Sequence, residues 1–540
     1  MPELAAELER SIGWQPVLWI GHAHLESRVH ELFPGTPWQR IIDAWFGRPI
    51  DGVGTEQPPA LDEDWWRRMQ PFIPRLVNQM NRFGPSDYFP YDEREAFART
   101  LILRWHEALT ATGVQAAFLE ESPSVPFSFA AYVVCQELGI PVVSLIPTKV
   151  FALSLLREEI EAPALRVEHE YRKRMTREGG NAVSSAVQAA LDGVVSSQQF
   201  YHVNQAALDD RERRHLEQHA ATNGVALEAS SGLMPKVLTR VRWLLTRAHH
   251  GTNVRKWPLF VRNAIASRDA RRLALVVGLK KRGRPVESTA WSVVEFRRYQ
   301  KRALEIKRAL RADYERRCSD PDYDNDRYIY FPLHYRPERT SNPDGGVFYD
   351  QILPLQMLSE ALPEGWKLYV KEHGVQFNAS LYGECGRTPH YYDQIASLHG
   401  VQFIPVDTSS KDLVLHSEAV ASITGTVCWE AALLGKPAMY FGFPWYQTCP
   451  GTTKVSSPQD VRRILEDPSG ATASAGELLA WHAGLDAAGV AFEFNAWQTH
   501  PGRVRDEDQY EGLRHALTWW ASSRGLISPC REAQALDTRR

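Results

Sequence analysis

The sequence predicts an α/β protein in which two Rossmann-like units are joined by a helical, basic segment. Short apolar runs that end at glycine or polar residues alternate with stretches of helical periodicity, both near the N terminus and between residues 326 and 505. Such alternation is typical of sheets whose strands are linked by helices. The 540 residues are 44% hydrophobic and 24% charged, which is typical of a folded globular protein rather than a disordered or fibrous one.

The first unit is predicted to span residues 1–160. Its strand-like runs lie at Val17–Gly21, Gln115–Glu121 and Pro141–Ile146. Its helical patterns lie around residues 62–82, 91–112 and 127–138. Because strands that alternate with helices usually pair in parallel, we expect a parallel sheet here that is irregular near its start.

The segment 161–325 shows helical periodicity, little strand pattern and strong charge. Residues 236–284 hold 14 Lys and Arg against one acidic residue, Asp269, with Trp243 and Trp257 among them. A basic amphipathic stretch of this kind can lie on an anionic membrane surface, and it can equally form a solvated helical linker. We expect no nucleic acid as partner, because the chain has a net charge of −3 and no recognition motif accompanies the basic residues.

The third unit, residues 326–505, is predicted to be a second doubly wound α/β domain. Its strand-like runs lie at Tyr328–Leu333, Trp366–Glu372, Val401–Ile404, Ala419–Ile423 and Pro437–Phe441. Its helices are predicted at Gly346–Leu362, at Val427–Leu434 and from about Pro458. The ligand of such a domain lies beyond the carboxyl ends of the strands. Residues 506–540 are predicted to form a C-terminal helix and tail, and we expect the helix, near 507–523, to pack back across one of the domains.

The absence of several motifs excludes some kinds of functional site and favours one cellular location. The six cysteines form no CxxC pair and no Cys/His cluster has zinc spacing, so no metal is expected. The Walker A, GxGxxG, GxSxG and HExxH motifs are absent, which removes the commonest NTPase, dehydrogenase, hydrolase and zincin functions. The N terminus lacks the apolar region of a signal peptide, and no apolar run reaches 18 residues. We therefore expect a cytoplasmic protein, in which the basic segment can add peripheral contact with the inner face of the cytoplasmic membrane.

Three loops that follow predicted strands carry the residues expected to bind a ligand. The first, FPLHYRPERTSNPDGG at 331–346, offers His334 and Arg336 beside glycines that open a helix. A histidine and arginines next to a helix start suit a phosphate or pyrophosphate. The second loop, KEHGVQF, offers Lys371 and His373 on one side of an extended segment. The alternative for both is an ordinary surface loop with ion pairs and a structural histidine.

The third loop, within SITGTVCWEAALLGKPAMYFG at 422–442, has the most specific pattern. A strand ends in Thr424, Gly425 and Thr426, and a helix begins directly after them. The two hydroxyl groups can cap the helix or donate hydrogen bonds to a phosphate, which the N–H groups of the helix start also attract. Glu430 either interacts with the helix dipole or accepts hydrogen bonds from a ribose diol. The pattern predicts binding of a phosphate or nucleotide.

Together the three loops resemble the capsular polysaccharide biosynthesis family of bacterial glycosyltransferases, which includes the capsule-type Kdo transferases. The family's FPLH-x-x-PE segment reads FPLHYRPE here, and its Pro-Gly-Gly and DQ helix start reads PDGG and then DQ. Its W-K-L-Y-V-K-E-H-P segment reads WKLYVKEHG, and its TGT-x-x-WEA-x-x-x-GKP helix reads TGTVCWEAALLGKP. The match covers residues 326–450, with looser agreement at 119–141. The family's His-Pro is His373-Gly374 here, and glycine loosens the loop that proline would stiffen.

The resemblance implies a GT-B-like architecture, in which the two Rossmann-like domains face each other across a cleft. The C-terminal domain would bind a nucleotide sugar, with a CMP-sugar favoured, and the N-terminal domain would bind the acceptor. The acceptor would be a growing surface polysaccharide or a lipid-linked glycan. By the same resemblance, His373, Thr424 and Thr426 would grip the donor phosphate, Glu430 would lie near the ribose, and no cofactor would be required.

The chemistry that this resemblance implies needs a base if transfer inverts the anomeric centre, because the acceptor hydroxyl must lose its proton. The N-terminal unit would supply it, and the candidates are Glu121, Glu120 and His24, with His22 and Glu26 nearby in sequence. Glu121 is preferred because it ends a strand before a Ser-Pro loop. Two alternatives stay open: a polyol-phosphate transferase that uses a CDP-linked donor, and a non-catalytic polysaccharide assembly factor with the same fold.

Overall fold

A computed structural model describes most of the chain. The described residues are 1–83, 90–148, 150, 153–176, 182–196, 293–378, 381–492 and 506–527. The basic segment 236–284 lies outside them, so its predicted contact with a membrane stays a prediction. Within the described ranges, no helix combines the length and the apolar composition required to cross a bilayer.

The N-terminal half contains small sheets rather than the one parallel sheet that was expected. Its strands are β1 (Trp19–Gly21), β2 (Trp38–Arg40), β3 (Ala117–Leu119), β4 (Val142–Pro147) and β5 (Leu153–Arg157). Strands β1 and β2 pair in parallel as a separate sheet, β3 and β4 pair in parallel, and β5 runs antiparallel beside β4. Only residues 148–152 connect β4 to β5. This link is too short for the crossover of about a dozen residues that parallel pairing needs.

The described part of this half contains seven α-helices, and the last five of them form its main apolar core. The seven helices span Pro2–Ile12, Glu26–Leu32, Ile41–Trp45, Glu63–Met69, Ile73–Gln79, Tyr91–Thr112 and Pro126–Glu137. The predicted helices at 91–112 and 127–138 are confirmed, and the pattern at 62–82 is divided by a short 3₁₀ turn at Gln70–Phe72. Leu101, Phe129 and Val133 are buried where the two longest of these helices pack together.

The C-terminal half is built on a six-stranded sheet that is parallel throughout. Its strands are β6 (Tyr328–Pro332), β7 (Lys367–Lys371), β8 (Val401–Ile404), β9 (Ala419–Ser422), β10 (Ala438–Tyr440) and β11 (Thr452–Lys454), in the order β11-β10-β9-β6-β7-β8. Its helices span Ile352–Ala361, Tyr391–Ala396, Ser410–His416, Val427–Leu433, Pro458–Glu466 and Ala475–Ala488. The five predicted strands are confirmed, whereas β11 was not predicted.

Both faces of this sheet are covered, as a doubly wound domain requires. Along β6, Tyr328 and Tyr330 point into one core and Ile329 and Phe331 into the other, and all four are fully buried. This follows from the alternation of side chains along a strand. A strand buried on both faces has a nearly continuous apolar sequence, which is why β6 could be recognised from its residues alone.

The described helices of the segment 161–325 pack on the C-terminal half. They span Val167–Met175, Ser185–Ser196 and Val293–Arg317, which agrees with the helical periodicity. Val167, Val187 and Val194 belong to the core that contains Trp481. Tyr314, in the third of these helices, lies on the opposite face of the sheet, with its ring centroid 5.5 Å from that of Phe403.

The end of the chain returns to the N-terminal half. Strand β12 (Val490–Ala491) pairs antiparallel with β5, and the helix Asp506–Ser523 packs on the helix Pro2–Ile12. Trp520 is fully buried there, and its indole N–H donates to Glu158 Oε1 at 2.6 Å. The expectation that the last helix packs back across one of the domains is confirmed.

Loops that follow the carboxyl ends of strands in the two halves meet at a buried ion pair. Arg157 Nη2 donates to Asp344 Oδ1 at 2.7 Å and to the Ser122 hydroxyl at 2.8 Å, and Nη1 donates to the carbonyl of Phe443. Ser122 follows β3 and Asp344 follows β6. Gly346 in the same loop has φ +58, and a Cβ there would lie 2.7 Å from the Phe443 ring, so only glycine fits. The two halves therefore face each other through these loops, as in the expected GT-B-like arrangement.

Candidate functional site

The strand order places the switch point of the sheet, which we call the crevice, between the carboxyl ends of β6 and β9. From β6 the chain proceeds to β7 and β8 on one side, and it then returns to β9 on the other side of β6. At such a switch point the connecting loops diverge and leave room for a ligand. His334 follows β6, and Thr424 follows β9. Two of the three predicted ligand loops thus meet at the point where an α/β sheet binds its ligand.

His334 is buried at the base of this crevice and joins the two strand ends. Its Nε2 accepts the backbone N–H of Thr424 at 3.3 Å and lies 3.1 Å from the Ser422 hydroxyl. Because Nε2 accepts, the neutral ring carries its proton on Nδ1, which lies 3.4 Å from Thr340 Oγ1. Its backbone is held as well, since Gln351 exchanges two hydrogen bonds with the N–H and C=O of His334.

This environment keeps the His334 imidazole neutral. Burial lowers its pKa to about 3, and the nearby positive charges of His373 and Arg387 act in the same direction. A ring that is neutral at pH 7 and bonded on both nitrogens orients its surroundings rather than supplying charge to a phosphate.

The side chains of Thr424 and Thr426 differ in burial and in hydrogen bonding. The Thr424 hydroxyl donates to the carbonyl of Thr340 at 2.6 Å, and this residue is buried. Thr426 is half-buried at the start of the helix Val427–Leu433, and its side chain forms no capping hydrogen bond. Between them, the Gly425 N–H donates to the Ser422 hydroxyl at 3.1 Å. The Thr426 side chain is therefore the more accessible of the two at the crevice.

Glu430 is buried in the helix that follows this loop. Its side chain is close enough to Tyr330 to raise the pKa of that phenol, after the larger effect of burial. This places Glu430 against the core face that also contains Tyr330.

Lys371 and His373 diverge at the end of β7. Lys371 Nζ donates to the carbonyl of Thr408 at 2.6 Å and to the Ser410 hydroxyl at 2.7 Å, and burial lowers its pKa to about 8. His373 lies beyond the end of the strand and starts a 3₁₀ turn, in which its Nδ1 accepts the Val375 N–H at 3.3 Å. The sequence analysis predicted that both side chains lie on one side of an extended segment. They diverge because the strand ends at Lys371 and a turn follows.

A buried ion pair behind these loops was missed by the sequence analysis. Arg387 binds Glu372 through two hydrogen bonds of 2.8 and 2.9 Å, and both side chains are fully buried. Arg387 Nη2 also donates to the carbonyl of His334 at 2.8 Å, while Glu372 Oε1 accepts the His373 N–H at 2.7 Å. The Tyr392 hydroxyl completes the cluster, at 2.7 Å from Glu372 Oε2. The pair thus holds the backbone of both predicted histidines.

Arg336 lies apart from the crevice. It lines a cavity of about 650 Å³, and its guanidinium carbon lies 5.5 Å from the centroid of the Tyr349 ring. The cavity lining includes Arg387 but none of His334, His373 or Thr426. The loop after β6 therefore serves two places, because His334 and Arg336 point in different directions.

The candidate bases of the N-terminal half occupy two neighbouring loops. Glu121 is half-buried and precedes Ser122, whose hydroxyl lies 3.3 Å from Asp344 Oδ1. Glu120 is exposed, yet desolvation by the surrounding protein raises its pKa against the opposing effects of the N-terminal ammonium and His22. His24 is exposed and its ring stacks on that of His22 at 5.8 Å. Within the described residues, no group of three or more His, Cys, Asp or Glu could hold a metal ion.

Comparisons with known proteins agree with the resemblance over part of the chain. The capsule polysaccharide modification protein LipA of Neisseria meningitidis serogroup B is 30% identical over 96 residues, which cover 18% of this chain and 13% of that protein. A Thermosulfurimonas dismutans KpsC structure, a β-Kdo 2,7 transferase, is 19% identical and covers 34% of this chain and 57% of its own, with a TM-score of 0.22. A UDP-GlcNAc 2-epimerase from Neisseria meningitidis is 12% identical, and the match covers 90% of this chain and 94% of the epimerase, also with a TM-score of 0.22.

The family match falls on the half of the molecule that contains most of the crevice. This chain spans only 13% of the length of the curated relative. With TM-scores of 0.22, the solved structures assign no role to individual residues of this chain. Residues 347–480, about a quarter of the chain, match the family model described as capsule polysaccharide biosynthesis protein, which confirms the resemblance over that part of the sequence.

Proposed function

We propose that this protein is a glycosyltransferase that moves a sugar from a nucleotide-activated donor, with a CMP-sugar favoured, to a surface polysaccharide or a lipid-linked glycan. The observation that carries the proposal is the crevice between β6 and β9. It lies at the switch point of a doubly wound sheet, and Thr424, Gly425 and Thr426 lie within the segment that matches the capsule family. The N-terminal loop with Glu120 and Glu121 faces the same side of the sheet.

On the donor side, each group has a distinct task in this proposal. The Thr426 hydroxyl and the His373 ring bind the donor phosphate, whose negative charge grows as the glycosidic bond breaks. His334 stays neutral and keeps the two loops in register through its bonds to Thr424 and Ser422. The Glu372–Arg387 pair positions both histidines by their backbones.

On the acceptor side, we propose Glu120 as the base, in place of Glu121, which the sequence analysis preferred. A general base works best when its pKa lies near the working pH, and desolvation raises the pKa of this carboxyl. Its exposure leaves room for an acceptor hydroxyl. Glu121 and His24 are the remaining candidates, and replacing each in turn distinguishes the three.

The experiment that tests the proposal is a nucleotide screen on the full chain. Thermal unfolding is measured with CMP, CDP, UDP, GDP and ADP, and the nucleotide that stabilises the protein then selects the activated sugars offered in a transfer assay read by mass spectrometry. We expect one nucleotide to raise the melting temperature, because a ligand at 100 times its dissociation constant adds about 2.7 kcal/mol of stability. Binding without sugar transfer would favour a non-catalytic protein, and transfer from CDP-glycerol would favour the polyol-phosphate reaction.

The location and requirements of the enzyme are part of the same proposal. We place it in the cytoplasm, with residues 236–284 contacting anionic lipid at the inner face of the cytoplasmic membrane. Co-sedimentation with phosphatidylglycerol vesicles, compared with phosphatidylcholine vesicles, tests that contact. We also propose that transfer needs no cofactor or metal, so activity should survive an excess of EDTA.

A further inference from the structure

The cavity that contains Arg336 is separate from the crevice and has the size of a ligand site. Its volume of about 650 Å³ lies within the usual range of small-molecule pockets. Its walls come from the helix Val293–Arg317, from the loops after β6 and β7, and from Asn81 of the N-terminal half. The cavity therefore lies where the two halves of the protein approach each other.

The charges in the wall leave one guanidinium without a close counter-ion. Arg387 is neutralised by Glu372, and Glu384 is neutralised by Lys307 at 3.0 Å. Arg336 differs, because the described residues place no carboxylate oxygen within 4 Å of its guanidinium. The carboxylate of Asp350 also lines the cavity and acts electrostatically on Arg336 from beyond 4 Å, and it accepts the N–H of Ile352 at 3.1 Å.

The surroundings of Arg336 suit the binding of an anionic group that belongs to a ligand. Burial lowers the pKa of its guanidinium, which means that the protein leaves part of the cost of desolvating this charge uncompensated. Tyr349 lies against it at 5.5 Å, and the exposed Arg302 adds a second cationic side chain to the lining. Arginine binds carboxylate and phosphate groups through two parallel hydrogen bonds, which fits a planar anion held above an aromatic ring.

We propose that this cavity binds the carboxylate or phosphate of an acidic sugar, with Arg336 as the anchor and Arg302 at its side. The tyrosine rings of the wall, Tyr349 and Tyr391, offer apolar faces to the sugar ring, and Gln394 and Thr388 offer hydrogen bonds to its hydroxyls. The acidic sugar belongs either to the acceptor glycan or to the donor. This assignment rests on the proposed function, whereas binding of the anion at the cavity does not.

The test measures binding of glucuronic acid, glucose 6-phosphate and glucose to the full chain by saturation-transfer NMR titration at low salt. We expect the two anionic sugars to bind at least tenfold more tightly than glucose. Arg336→Gln should weaken their binding by about 10- to 100-fold, because a hydrogen-bonded charge contributes that much, and Arg336→Lys should weaken it less. Arg302→Gln, at an exposed position, should weaken it by a smaller factor of about two to five.

The matched control is Arg308→Gln. Arg308 is exposed on the same helix and does not line the cavity, so this variant should bind all three sugars as the wild type does. Thermal unfolding shows whether Arg336→Gln remains folded, and if it does not, Arg302→Gln still decides the matter. The proposal is overturned if wild-type protein binds glucuronic acid no better than glucose, or if folded Arg336→Gln and Arg302→Gln both retain wild-type affinity.

A second arm identifies the source of the acidic sugar. If it belongs to the acceptor, glucuronic acid should still bind when the protein is saturated with its nucleotide. If it belongs to the donor, UDP-glucuronate should bind more tightly than UDP-glucose, and Arg336→Gln should abolish that difference. Nucleotide binding by the crevice is measured on the same samples, so a failure of the proposed function shows there and leaves the result on the anion site independent.

Discussion

The crevice at the switch point and the cavity beside it share the loop after β6, yet their polar groups are satisfied in opposite ways. In the crevice, the ring of His334 and the hydroxyl of Thr424 are both bonded to protein atoms. In the cavity, the guanidinium of Arg336 lies against the Tyr349 ring, and the described residues place no carboxylate oxygen within 4 Å of it. The comparison teaches that the crevice is preorganised by neutral hydrogen bonds, whereas the cavity holds a charge that a ligand can neutralise.

The Glu372–Arg387 pair supports both regions, and breaking it should have the largest effect. Arg387→Met leaves Glu372 buried without its partner, and we expect the free energy of unfolding to fall by about 3–5 kcal/mol. Denaturant unfolding measures the loss, and binding of nucleotide and of glucuronic acid should weaken together. Arg462→Met, which breaks an exposed pair with Glu360, is the control and should lose less than about 1 kcal/mol. A variant that lost one binding activity and kept the other would show that the two regions are independent.

The interdomain pair should come next in size. Asp344→Asn leaves Arg157 buried beside a neutral group, and we expect a loss of about 2–4 kcal/mol. Calorimetry should then show separate transitions for the two halves. Glu161→Gln removes a more exposed partner of Arg75 and serves as the control. A single transition that is unchanged within about 1 kcal/mol would contradict a role for Asp344 in joining the halves.

Two buried neutral histidines, His334 in the crevice and His482 in the core, predict how the free energy of unfolding depends on pH. His334 has its pKa lowered to about 3 and His482 to about 4, so between those values and about 6.5 the unfolded chain binds protons that the fold does not. Stability is therefore fully present above about pH 6.5 and falls as the pH drops. Each histidine contributes about 1.4 kcal/mol per pH unit.

Replacing these histidines one at a time separates the contribution of the crevice to this pH dependence from that of the core. His334→Gln should reduce the slope of unfolding free energy against pH by about 1.4 kcal/mol per unit between pH 4.5 and 6, and His482→Gln should do the same from the core. Carboxylate titrations are common to all three proteins and cancel in the difference. An unchanged slope in His334→Gln would mean that this ring is protonated in the fold.

The smallest effect is expected from Thr426, and it concerns ligand binding alone. Thr426→Val removes a half-buried hydroxyl that forms no capping bond, so stability should change by less than about 0.5 kcal/mol. Under the proposed function, nucleotide affinity should fall by about 5- to 15-fold, because one hydrogen bond is lost. Thr426→Ser retains the hydroxyl and should bind as the wild type. Equal binding by the valine and serine variants would remove this hydroxyl from the site.

The C-terminal sheet was predicted well because its strands are buried on both faces. Tyr328–Phe331 and Ala419–Ala421 are apolar runs without interruption, and each is followed by a loop with distinctive residues. The loops after β6 and β9 could therefore be assigned to one edge of the sheet before the fold was known. In the N-terminal half, β1 has only three residues and β5 follows a short link, so neither its partner nor its direction could be derived from periodicity.

The sequence by itself determined the fold class, five of the six strands of the parallel sheet and which loops reach its carboxyl edge, because alternation and apolar runs are local properties of the chain. The tertiary structure decided what each polar side chain does there. Glu372 and Arg387 are separated by 15 residues, and Arg157 and Asp344 by 187. Residues as close as His334 and Arg336 lie in different environments. Burial and hydrogen-bond partners set the charge of these groups, and both arise only when distant segments pack together.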